Sequence, residues 1–135
     1  MRKVTVALLA AFSLLAAGSA LAHHSFAMFD RSKEMTLVGT VHEFQWTNPH
    51  SFIEVDVPNA NGGVDKWSLE CNSPNNLTRQ GWHSDSLKPG DKITVVLWPL
   101  RSGEKGGLFI WLKFPDGRVL DEAAFRNRSK LPPEQ

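Results

Sequence analysis

A chain of 135 residues with 15 Lys and Arg against 14 Asp and Glu is of single-domain length and nearly neutral. That balance leaves no basic stripe for nucleic acid or anionic lipid, and the single cysteine, Cys71, excludes an intrachain disulfide. Stability must come from a core, for which five Trp and eight Phe supply bulky material.

The first 22 residues read as an export signal. Met1, Arg2 and Lys3 form a positive start, residues 4–17 are apolar and uncharged, and Gly18, Ser19, Ala20, Leu21 and Ala22 form a small-residue cleavage region. The apolar run is shorter than the roughly 18 residues that a membrane span needs, so no stable span is expected after cleavage. Ala20 and Ala22 match the A-x-A rule, and cleavage after either is compatible with the pattern. Loss of Arg2 and Lys3 brings the mature chain to about net −1 with neutral histidines.

Residues 23–34 read as an irregular N-terminal arm that pins two rings, Phe26 and Phe29, onto the domain. Residues 35–46 form the first expected strand, rich in β-branched and aromatic residues. Strict alternation puts Leu37, Gly39, Val41 and Glu43 on one face and Val38, Thr40, His42, Phe44 and Trp46 on the other. Gly39 is the expected bulge or bend, and Asn48-Pro49 breaks the run. Residues 51–57 alternate, with Ile53, Val55 and Val57 inward and Phe52, Glu54 and Asp56 outward. Turn residues 58–63 lead to an answering strand, 64–71, with Trp67, Leu69 and Cys71 inward and Lys66 able to pair with the acids opposite.

The period then changes. Ser73-Pro74 is a helix start and Gly81 its stop. Two further strands follow at 92–100 and 108–114, the second apolar at nearly every position, with a short last strand at 119–120. Residues 121–135 read as a C-terminal tail, frayed at its end. Three strands, a short helix, then two or three strands is the order of an OB-like barrel. The expected architecture is therefore all-β: a five- to six-stranded barrel over residues 35–120 with one short helix between strands 3 and 4.

His-His-Ser-Phe-Ala after a signal, then Gly-Thr-Val, Thr-Asn-Pro-His and Leu-Lys-Pro-Gly-Asp together resemble an uncharacterised family of small periplasmic bacterial proteins. The resemblance covers nearly all of the mature chain and implies a periplasmic OB-like domain. It brings no activity or catalytic residue with it.

The histidines are the chemically suggestive set. Cleavage after Ala22 would make His23 the first residue, and its α-amine and Nδ1 could chelate one metal as in the histidine brace of copper proteins. His24, His50 or His42 could supply a third nitrogen, a donor set that favours Cu(II). Cleavage after Ala20 would instead put histidine third, which with the amine and two deprotonated amides makes a planar nest for Cu(II) or Ni(II). The metal residues expected are His23, His24 and His50. Each also has a plain structural reading: a polar terminus for His23 and His24, a turn-backbone bond for the His50 ring, a packed strand residue for His42 and a solvated loop for His83.

Cys71 reads as a small buried hydrophobe, against a soft Cu(I) ligand with Met28 or Met35 or a reactive thiol. No nucleophile elbow, phosphate loop, HExxH or CxxC is present, so no enzyme is expected. A second reading needs no metal: the face bearing Phe44, Trp46 and Phe52 would bind a periplasmic protein or a glycan, the same rings serving otherwise as core cover.

Overall fold

The long strand β1, Met35–Gln45, pairs twice, and that is how the sheet closes. Its first half lies antiparallel to β4, Lys92–Pro99, and its second half antiparallel to β2, Phe52–Pro58, with Thr40 at the handover. The computed structural model describes residues 26–126. The remaining elements are β3 (Val64–Glu70), α1 (Pro74–Arg79), β5 (Gly106–Lys113), β6 (Val119–Asp121) and a 3-10 turn, Ala123–Phe125. The sheet order is β3-β2-β1-β4-β5-β6, and parallel pairing of β3 with β5 closes the first five strands into a barrel. This is the OB-like barrel expected, with one added strand and the helix between β3 and β4.

The turns follow local chemistry. At the β2–β3 hairpin the Asn59 side chain accepts from the backbone N–H groups of Asn61 and Gly63, both at 3.1 Å, and Gly62 supplies the positive φ. Ser73 caps α1 by accepting from Asn76 N at 3.4 Å, with Pro74 in the first turn where its missing N–H costs nothing. Gly81, at φ +88°, ends the helix.

Ile53, Val55, Leu69, Val95, Leu97, Phe109 and Leu112 fill the barrel and are almost inaccessible. Each contributes roughly 1.5–3 kcal/mol by leaving water. Trp82 packs edge-on against Phe109 at 5.6 Å between ring centroids, closing the end of the barrel where β3 finishes.

A second apolar cluster, Phe29, Val96, Trp98, Leu108, Ile110 and Trp111, lies on the outer side of β4 and β5. It explains why β5 is apolar throughout: both of its faces are covered. The covers come from the segments just before β1 and just after β6. Phe29 forms a bridge with Leu100, and Phe125 meets Trp98 edge-on at 4.9 Å.

Several expectations change here. Of the two arm rings only Phe29 is pinned; Phe26 is half exposed. Residues 121–126, assigned to a tail, belong to the fold: Glu122 is buried, and Asp121 forms a two-bond ion pair with Arg126 at 2.6 and 2.9 Å. Residues 131–135, expected to fray, lie outside the described residues.

The β1 bulge sits at His42, not at Gly39. The register with β2 slips between Val41 and Glu43, so the inward phase moves from odd to even positions. Leu37 and Val41 point in, Glu43 is exposed, and Phe44 and Trp46 pack against the core. Gly39 serves close approach instead. A Cβ there would stand 2.6 Å from the Asp56 carbonyl oxygen and 2.7 Å from Val55 Cγ1, nearer than packing allows.

Candidate functional site

His50 and Glu70 come together at the end of the first hairpin. The Pro58–Val64 and Phe52–Glu70 pairs fix the hairpin register. Beyond them, the backbones of Ser51, Cys71 and Asn72 keep bonding: Cys71 N donates to Ser51 O at 2.8 Å, and Ser51 N to Asn72 O at 3.1 Å. His50 thus lies two positions beyond the Phe52–Glu70 pair and is a diagonal neighbour of Glu70, within reach of a long side chain. The contact is made, with His50 Nδ1 2.5 Å from Glu70 Oε1.

This differs from the turn-capping role expected of the His50 ring. The backbone bond inside the turn comes from Thr47, whose hydroxyl donates to the His50 carbonyl at 3.0 Å. The imidazole is left to a carboxylate. Glu70 is mostly buried and His50 more exposed. A carboxylate on Nδ1 fixes the ring and directs Nε2 away from the contact, the arrangement that prepares a histidine to ligate through Nε2.

The pair opens on a small pocket of about 80 Å³. Its lining adds Cys71, Asn72 and Glu122 to His50 and Glu70, with Phe26, Phe29, Leu108 and Phe125 as apolar wall. Glu122 reaches it because the chain after β6 turns back over the barrel. Its Oε1 accepts from Asn72 N at 2.8 Å, while Oε2 is buried without a hydrogen bond. Burial raises the Glu122 carboxyl above its ordinary value, partly offset by the Asn72 N–H and the nearby Gln80 side chain.

Cys71 is 3 % exposed, and its thiol donates weakly to Leu69 O at 3.8 Å. Burial, reinforced by the charges of Glu122 and Glu70, pushes it well above the usual thiol range. A thiol so held is neither a nucleophile nor a ready ligand at neutral pH.

The arm approaches this same end. Asp30 N donates to Pro99 O at 2.8 Å, Arg101 N to Met28 O at 2.8 Å, and Arg101 Nε to Ala27 O at 3.1 Å. Three bonds to Pro99 and Arg101 tie down residues 27–30, and Phe26 lines the pocket with His50. His23 and His24, two of the three expected metal residues, lie outside the described residues. Among the described residues no three His, Cys, Asp or Glu side chains form a metal-holding group; His50 and Glu70 are a pair.

The other histidines stand apart. His42 is not packed: the bulge turns it outward, half exposed, with Nδ1 3.2 Å from Asp56 Oδ2. His83 is exposed on its loop. Lys66 lies opposite Asp56 in register, but the Asp56 carboxylate meets the His42 ring.

The three aromatic residues offered as a binding face do not form an open one. Phe44 and Trp46 are half-buried against the core and edge-on to each other at 5.4 Å, and Phe44 also meets Trp82 at 6.0 Å. Phe52 is partly exposed on the opposite phase. Glu70 and Glu122 are the site residues that sequence reasoning missed. Counting back from the 59–63 turn would have exposed Glu70 as His50's diagonal partner; nothing local marks Glu122.

The chain matches no curated protein and no solved structure. A family model does match: residues 11–109 fit a family of unknown function, DUF6152. The match spans well over half of the chain, runs through the arm, the His50 turn and the first four strands, and ends inside β5. The chain belongs to that family.

Proposed function

We propose that this is an exported, periplasmic β-barrel protein that binds copper or a similar divalent metal through its N-terminal histidines, with His50 as the ligand held by the barrel. One observation carries the reading: Phe26 lines the pocket that contains His50 and Glu70. Chain length keeps the Cα of His24 within about 7 Å of that of Phe26, and that of His23 within about 11 Å. Export and signal cleavage are part of the proposal, since the brace needs a free α-amine on His23. Glu70 on Nδ1 would orient the His50 ring as a ligand through Nε2.

The test is a Cu(II) titration of the mature protein, read by intact mass and calorimetry. One equivalent should bind tightly. Affinity should fall at least about tenfold when His23 is replaced or when one residue is added before it. Equal binding by the extended form would sink the brace.

The other reading, a metal-independent surface for a protein or glycan on Phe44, Trp46 and Phe52, has less support. Two of its three rings are turned toward the core.

A further inference from the structure

A second cavity lies at the opposite ends of β2 and β5 from His50. It holds about 480 Å³, within the roughly 300–1,000 Å³ common to small-molecule sites. Register builds it. Val38 pairs with Thr94, and Thr94 with Lys113, so three outward side chains form a row across β1, β4 and β5. The next pair, Thr40 with Lys92, lies alongside. Pro58, Phe114 and Pro115 wall the groove.

Two features are unusual for the outside of a barrel. Val38 is a branched aliphatic at mid-strand, yet 66 % exposed among the described residues. All the charged lining is of one sign: Lys92 and Lys113, with no Asp or Glu. Among the described residues neither lysine is in an ion pair, and the Lys92 ammonium is held at the groove by a 2.6 Å bond to Thr40 Oγ1. Of the acids near this end, Asp116 is engaged by Arg118 at 2.8 Å, and Asp56, opposite Thr40 in register, meets the His42 ring at 3.2 Å. In a mature chain near net −1, a cationic, otherwise apolar cavity is a local reversal of charge.

We propose that this groove binds a small anionic amphiphile, a free carboxylic acid with an apolar tail. The carboxylate lies between Lys92 and Lys113, and the tail runs over Val38 toward Phe114 and the two prolines. Apolar contact supplies area and the paired ammonium groups supply the sign preference. The site is separate from the His50 pocket and does not depend on metal.

Dodecanoate, kept below its micelle concentration, is the probe, titrated into the purified protein and followed by amide NMR. Saturable shifts should map to residues 38–40, 92–94 and 113–115. The double variant Lys92→Gln/Lys113→Gln should bind about tenfold more weakly, and dodecanol should also bind the native protein more weakly. Val38→Asp, which sets a like charge in the groove, should reduce binding with the β1 amide pattern unchanged. The proposal is overturned if dodecanol binds as well as dodecanoate, if the double variant loses nothing, or if shifts fall elsewhere. It is overturned equally if the protein sediments with phosphatidylglycerol vesicles but ignores monomeric dodecanoate, since the groove would then be a membrane contact.

Discussion

The two ends of β2 and β5 carry opposite chemistry on one frame. At one end His50, Glu70 and Glu122 line a small, partly closed pocket walled by Phe26 and Phe29 before the barrel and by Phe125 after it. At the other, Lys92 and Lys113 flank a larger, open and mostly apolar groove that no segment among the described residues covers. The difference comes from what crosses each end. Acids can be half-buried near His50 because backbone donors such as Asn72 N–H accompany them. The lysine ammonium groups are donors themselves; that of Lys92 is met by the Thr40 hydroxyl at 2.6 Å, and these charges stay at the rim on long stems. A barrel built from alternating strands thus presents two separable surfaces, because the core between them is filled and rigid.

The bluntest way to break the comparison is to remove what both ends rest on. Phe109→Ala deletes a fully buried ring that touches Trp82 and should cost about 3–5 kcal/mol in a urea melt. If Phe109→Ala cost only a few tenths, the two ends would not share one core. A sharper cut is Glu70→Gln, which keeps the shape of the His50 partner and removes its charge. Copper affinity should drop about tenfold with little change in stability. Lys92→Gln/Lys113→Gln, at the far end, should leave copper binding unaltered, and a matching drop there would show that the ends are coupled.

The smallest effect concerns pH. Because burial raises the Glu122 carboxyl above 4.5, the folded state holds its proton to higher pH than the unfolded chain does. Stability from this group is therefore present below 4.5 and is lost as pH rises through the folded value. Glu122→Gln, which mimics the protonated form, should gain on the native protein between about pH 4 and about pH 7 in urea midpoints. A constant difference between the two across that range would mean that Glu122 titrates normally.

The metal hypothesis was visible in the chain because His23, His24 and His50 are rare residues in a recognisable place. The aromatic face was misplaced for a reason that alternation cannot reveal. Phe44 and Trp46 follow Val41 at odd spacing, and only the bulge at His42 lets both sets face inward. His50 invited a turn-capping role because Thr47's competing hydroxyl and Glu70's carboxylate are seen only once the hairpin register is known.

By itself the sequence determined the strands, the helix with its Ser73 cap and Gly81 stop, the inward set of β2 and β3, and the barrel order. These depend on local propensity and on period, which act over a few residues. Only the tertiary structure decided what lies across the barrel: the parallel closure of β3 on β5, the outer cluster under Phe29 and Phe125, Glu122 beside His50, and the Lys92–Lys113 groove. Each joins residues far apart in the chain, and their meeting is fixed by strand register and sheet coiling, which no short window of sequence contains.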